Sequence, residues 1–206
     1  MKRLVVLISG NGTNLQAILD TCAGGGLAAQ VCAVISNQAG AFGLERARRA
    51  GVPALALEKA RGVDRRTYDR DLADQAAAFS PDWIVLAGWM RILSAGFLDR
   101  FPGRVVNLHP ALPGTFPGTH AIERAFQAFQ RGEICQTGVM VHLVPDEGVD
   151  CGPVLAQQTV SIEPGDTLDA LETRIHAVEH DLLVKVLKDL ILDDFLTTKD
   201  TMSTKD

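Results

Sequence analysis

The chain predicts a single α/β domain, a mostly parallel twisted sheet with helices on both faces, and three features carry that prediction. Apolar runs of strand length alternate with segments of helical periodicity along most of the 206 residues. This order belongs to parallel strands joined by covering helices. The turn Gly10-Asn11-Gly12 links the first strand to the first helix, as expected where a backbone must bend tightly or approach a ligand. The run Val105-Val106-Asn107-Leu108-His109-Pro110 ends an apolar strand on two polar side chains, at the end where open α/β sheets bind ligands.

The elements follow in order. Residues 3–8 are a continuous apolar strand, and residues 14–22 carry Leu15, Ile18 and Leu19 at helical spacing. Residues 30–36 form a second strand, and residues 42–50 a charged amphipathic helix stopped by Gly51. A third strand covers 52–57. A polar-faced helix covers 64–79 and ends before Pro81, with strands at 82–87 and 104–109 beyond it. A helix is expected over 119–131. Apolar strands at 137–144 and 153–162 follow, joined by an acidic loop short enough for an antiparallel pair. Asp166 can cap a last helix that runs to about residue 194. The polar tail 197–206 has little to bury and is expected to be disordered, which leaves 1–196 as the folded domain.

Composition narrows the function. At 47% apolar residues the chain can bury a sizeable core. A formal net charge of −5 argues against a broad nucleic-acid surface, which needs clustered Lys and Arg. No apolar run approaches the roughly 20 residues that cross a bilayer. The short apolar run at 4–8 meets a Gly-Asn-Gly turn, so it suits a first strand better than a signal peptide. Cys22, Cys32, Cys135 and Cys151 show neither redox nor zinc-ligand spacing. Reduced thiols, a cytoplasmic location and no metal are expected. Oligomeric state is not encoded in any recognisable stripe.

Two constellations carry chemistry. The Gly-Asn-Gly turn and the helix after it form either an ordinary βα turn or an anion cradle of open N–H groups at a positive helix end. Leu15 stands where a dinucleotide fingerprint needs a small residue, and no Gly-Lys-Ser/Thr follows, so a terminal phosphate fits better than NAD or ATP. Asn107 and His109 lie on one face of their strand, since side chains alternate. An amide beside an imidazole can stabilise an oxyanion, and a nearby carboxylate would favour the imidazolium. The acidic loop offers Asp146, Glu147 and Asp150. No nucleophile with its own base is evident, which suggests direct transfer between two bound substrates.

At this point the motifs Gly10-Asn11-Gly12-Thr13-Asn14-Leu15, Leu86-Ala87-Gly88-Trp89-Met90-Arg91-Ile92-Leu93, Val106-Asn107-Leu108-His109-Pro110 and Asp150-Cys151-Gly152-Pro153 come into one frame. Together, in order and over about 190 residues, the chain resembles the glycinamide ribonucleotide formyltransferases. The resemblance implies formyl transfer from 10-formyltetrahydrofolate to the amine of glycinamide ribonucleotide, with small molecules as the only partners. It implies Asn107, His109 and Asp150 as catalytic residues. Gly12, Thr13 and Asn14 would contact the ribonucleotide phosphate, and Glu179 the other end of that substrate. Arg65, Met90, Arg91, Ile92 and Leu93, with Asn107, would hold the folate, and His142 would support the site from behind. The loop from His142 to Asp150 is one residue longer than the family's, which makes Asp146 a competitor. Asp150 is preferred because the Gly152-Pro153-Val154 that follows fits the family pattern. Three rival readings remain. A methionyl-tRNA formyltransferase is expected to add a C-terminal domain and a basic surface. A formyltetrahydrofolate hydrolase is expected to add an N-terminal regulatory domain. A non-catalytic nucleotide-binding module would leave Asn107 and His109 without a purpose.

Overall fold

The apolar run near the amino terminus becomes β1 (Lys2–Ile8), a central strand buried on both faces. In the computed structural model, which describes the backbone of residues 1–202 and the side chains of residues 1–192, β1 lies between two parallel neighbours. These are β2 (Ala29–Ser36) and β4 (Trp83–Leu86). With β3 (Ala54–Ala56), β5 (Val105–His109), β6 (Gln136–Leu143) and β7 (Val154–Ser161) they build a seven-stranded sheet in the order β3-β2-β1-β4-β5-β6-β7. Strands β1 to β5 are parallel, and β6 and β7 close the sheet antiparallel, as expected.

Alternation along β1 feeds two cores, because successive side chains point to opposite faces. Leu4, Val6 and Ile8 join a cluster with Leu15 and Ile18 of α1 (Thr13–Ala23) and Leu44 of α2 (Phe42–Arg49). Ile122 of α5 (Ala121–Gln130) and Leu171, Ile175 and Leu183 of α6 (Leu168–Met202) complete it. Val5 and Leu7 point the other way, onto Tyr68 and Leu72 of α3 (Arg65–Ala77) and Phe97 of α4 (Ala95–Leu98). Each fully buried aliphatic side chain contributes about 1.5–3 kcal/mol.

Local departures from the expected boundaries have local causes. The third strand shrinks to three residues because it sits at the sheet edge and pairs with β2 alone. Helix α5 begins two residues late, since His120 adopts a left-handed φ of 57° that an α-helix cannot include. The cap of α6 is Thr167, whose Oγ1 accepts from Ala170 N at 3.2 Å. Asp166 instead accepts both from Glu163 N and from the Arg174 guanidinium. The backbone of α6 continues to Met202, past the expected end near residue 194 and into the tail expected to be disordered, of which 203–206 lie outside the described residues.

The topology sets the position of the site. After β3 the chain crosses back past β1 to β4, so the strand order reverses between β1 and β4. A crevice opens at the carboxyl ends of such strands. Ser9, just past β1, ties the two ends together. Its N–H donates to Gly88 O at 3.0 Å, and its Oγ accepts from Met90 N at 2.8 Å.

Candidate active site

The Gly-Asn-Gly turn is built from both sides. Gly12 has a φ of +76°, and an added Cβ would come within 2.8 Å of the Gly43 backbone, so the close approach to α2 admits only glycine. Arg46 of α2 donates to Asn11 O at 2.9 Å and to Asn11 Oδ1 at 2.8 Å, fixing the turn beneath a guanidinium. Among the described residues no side chain caps α1. Its first N–H groups are therefore open at the positive end of the helix, the arrangement that binds anions. Asn14 donates from Nδ2 to the buried Glu179 at 3.3 Å, and His176 Nδ1 meets the same carboxylate oxygen at 2.7 Å. That contact raises the His176 pKa above its ordinary value, with burial opposing.

The second constellation lies at the end of β5. Asn107 and His109 project from one face of the strand, and antiparallel pairing sets His142 of β6 directly opposite Asn107. Asp150 arrives from the loop between β6 and β7 with a left-handed φ of 51°, a strained conformation that the surroundings must hold in place. Gly152 lets that loop close, since a Cβ there would fall 1.9 Å from Leu143 O. The Asp150 carboxylate accepts from Gly118 N at 2.7 Å and from Asn107 Nδ2 at 3.1 Å, and it lies 3.3 Å from His109 Nδ1. Asp146 is turned into its own loop, where Oδ1 accepts from Gly148 N at 2.8 Å. The acid beside the imidazole is Asp150.

Partner chemistry assigns the protons. His109 Nε2 is 3.1 Å from Phe116 O, and Nδ1 faces the Asp150 carboxylate. Both partners only accept, so this setting suits a ring that carries both protons. Burial opposes the charge, and it lowers the His109 pKa below its ordinary value even though Asp150 and the Phe116 carbonyl push it up. Asp150 acts in the expected direction, but only 4% of His109 is exposed, so desolvation outweighs the neighbouring charge. For Asp150 the balance falls the other way. Burial pushes its pKa up, but contact with His142, the Gly118 N–H and the His109 ring together hold it below the usual carboxylate value. Leu143 O, 2.8 Å from His142 Nδ1, can only accept. That carbonyl takes the Nδ1 proton, and His142 Nε2 lies 3.1 Å from Asn107 Nδ2 and 3.6 Å from Asp150 Oδ1.

Asn107, His109, Asp150 and His142 share a cleft of about 600 Å³ with Arg65, Met90, Arg91, Ile92 and Leu93. Met90 and Ile92 are 63% and 45% exposed and offer an open apolar surface, while Leu93 is buried beneath them. Val144 and Val149 extend that surface. Gly12, Thr13, Asn14 and Glu179 do not line this cleft. They form the neighbouring cluster at the start of α1, and a shallower depression lined by Ser9, Gly10 and Asn11 on one side and by Met90 and Arg91 on the other lies beside the cleft. Pattern alone did not single out Phe116 O and Gly118 N, because they are backbone groups of a Gly- and Pro-rich loop with no side-chain signature. Arg124 pins that loop by donating to Phe116 O at 2.7 Å and to Pro117 O at 2.6 Å. Among the described residues no group of three or more His, Cys, Asp or Glu could hold a metal ion, and no helix is long and apolar enough to cross a membrane.

Comparison with known proteins matches residues 2–187 to the formyl transferase family. The phosphoribosylglycinamide formyltransferase of Schizosaccharomyces pombe is 46% identical over 203 residues, covering 93% of this chain and 98% of that protein. Its counterpart in Escherichia coli is 45% identical over 177 residues, covering 86% of this chain and 81% of that protein. The crystal structure of phosphoribosylglycinamide formyltransferase from Bacillus halodurans superposes with a TM-score of 0.86 at 40% identity, covering 92% of this chain and 95% of the other.

Proposed function

The chain belongs to the formyl transferase family, and from that membership we propose that it transfers the formyl group of 10-formyltetrahydrofolate to the amine of glycinamide ribonucleotide, a step of purine biosynthesis. The observation that carries this is the convergence of Asn107, His109 and an ionised Asp150 at the end of β5, on the wall of a cleft with an open apolar surface. Such a cleft, mostly apolar with a few fixed polar groups, suits a flat heterocycle like the pterin. Met90, Ile92 and Leu93 would pack against it, the backbone from Met90 through Arg91 to Leu93 would hydrogen-bond it, and Arg65 would meet its anionic end. The open N–H groups of α1 at Gly12, Thr13 and Asn14 suit the phosphate, and Glu179 would hold the ribonucleotide's other end. Residues 1–196 are taken as one catalytic domain acting in the cytoplasm.

The catalytic roles follow from the proton assignment. When the amine attacks the formyl carbon, negative charge grows on the formyl oxygen, and donors aimed there lower the barrier. Asn107 Nδ2 and His109 Nε2 are those donors, the former once it turns one N–H away from His142 or Asp150 and the latter once the formyl oxygen takes the place of the Phe116 carbonyl. As the bond from the formyl carbon to the folate nitrogen breaks, His109 passes its proton to that nitrogen, and the proton lost by the attacking amine returns to the imidazole through water and Asp150. A buried imidazolium with a lowered pKa gives up its proton readily. Asp150 orients the ring and balances its charge while the proton is in place. Purified protein should consume 10-formyltetrahydrofolate only when glycinamide ribonucleotide is present. Consumption without the nucleotide would favour a hydrolase, formylation of charged tRNA alone would favour the tRNA-directed enzyme, and inertness toward all three would favour a binding module.

A further inference from the structure

We propose that Glu147 governs the affinity for formyl donors that carry a carboxylate tail, by occupying Arg65 until such a tail displaces it; this rests on the folate-donor activity proposed above. A folate ends in glutamate, so its tail presents carboxylates that need cationic partners. The arginines lining the cleft are Arg65 and Arg91. Arg91 lies over the Tyr68 ring, 4.9 Å from its centroid, and that contact holds its guanidinium. Arg65 donates from Nη2 to Glu147 Oε2. The other oxygen, Oε1, accepts from Ala95 N at 3.0 Å. Glu147 thus commits one carboxylate oxygen to Arg65 and the other to the Ala95 N–H, as a ligand carboxylate would.

The pair is built to exchange. Both side chains are more than one-third exposed. Water screens such a pair, and it holds with little net energy. The Ala95 N–H, Arg65 and the nearby Arg66 keep the Glu147 carboxyl below its ordinary pKa, so the competitor is charged at neutral pH. Glu147 lies in the same loop as Asp150, yet Asp150 has its own anchors in Gly118 and Asn107. Displacing Glu147 therefore leaves the reacting carboxylate in place, and the effect falls on donor binding and not on turnover.

The test is calorimetric titration of the full chain with tetrahydrofolate, which has one glutamate, and tetrahydropteroate, which has none. Glu147→Gln should tighten tetrahydrofolate about two- to fivefold, the range expected for losing an exposed ion pair, and leave tetrahydropteroate unchanged. Arg65→Gln should weaken tetrahydrofolate and erase the gain in the double variant. Equal weakening of both ligands by Glu147→Gln would make the residue a loop brace and overturn the proposal, as would no change in either. A wild-type chain that binds neither ligand would overturn the donor assignment and this proposal with it. Wild-type binding and turnover without the Glu147→Gln gain would overturn the proposal alone.

Discussion

Asp150→Asn preserves the shape of the side chain and removes its charge. The carboxylate receives N–H groups from Gly118 at 2.7 Å and Asn107 at 3.1 Å, and it faces His109 Nδ1 at 3.3 Å. An amide in that place must turn its own NH2 toward at least one of these donors. A hydrogen bond to a charged group contributes about 1.5–3 kcal/mol net. Part of that loss falls on the imidazolium that the proposed transfer uses. A loss of transition-state stabilisation of about 3–4 kcal/mol corresponds to a fall in kcat of a few hundred- to a thousandfold. Asp146→Asn keeps the turn to Gly148 N, which an asparagine oxygen can also accept. Its kcat should stay within about threefold of wild type on that ground. The assay follows tetrahydrofolate release with each substrate varied in turn, and thermal melts check that both variants fold. The pH profile adds a second readout. Asp150 pushes the His109 pKa up against burial, so removing its charge lets that pKa drop further. Activity that needs protonated His109 is lost as pH rises through its pKa, so the alkaline limb of kcat/KM should move to lower pH in Asp150→Asn. A larger loss in Asp146→Asn, or an Asp150→Asn variant that keeps more than about one-tenth of kcat, would refute the assignment.

Two further variants test the scaffold. Gly12→Ala forces a side chain into a φ of +76° and against the Gly43 backbone. The combined strain should destabilise the fold by on the order of 2 kcal/mol, lowering Tm by roughly 4–8 °C in a domain of this size; an unchanged Tm would mean that the turn relaxes freely. Asp166 is held at a pKa of about 2 by the Arg174 guanidinium, below its ordinary 3.8. Its folded-state pKa is the lower one, so its contribution is present above about pH 4 and fades as pH falls toward 2. Urea midpoints of wild type and Asp166→Asn should differ at neutral pH and converge across that window, and a gap that persists at pH 2 would assign the effect to packing.

Regular elements were legible wherever periodicity or turn chemistry fixed them. The apolar runs that became β1, β2, β4 and β5 needed no partner to be recognised. Helix α4 was not, because its four residues, Ala95 to Leu98, are too few to show a period. Asp166 has the residue type of a cap, yet Arg174, about two turns further along the helix, draws its carboxylate away. In the site, Asn107 and His109 could be paired from strand alternation. Asp146 and Asp150 could not be separated by alternation, because the choice rests on the left-handed backbone at 150 and on a peptide N–H at 118. The tie between Arg65 and Glu147 joins positions far apart in the chain through side chains, which no local pattern encodes.

The central strand has a consequence for how the molecule comes apart. Leu4, Val6 and Ile8 belong to one core and Val5 and Leu7 to the other, so neither layer of helices can be stripped without baring half of the same ribbon. The two layers are obliged to dissolve together. The amide hydrogens of that ribbon should be replaced by deuterium only in the rare event that opens the whole molecule, while those of the mostly exposed acidic loop should trade on a far faster clock.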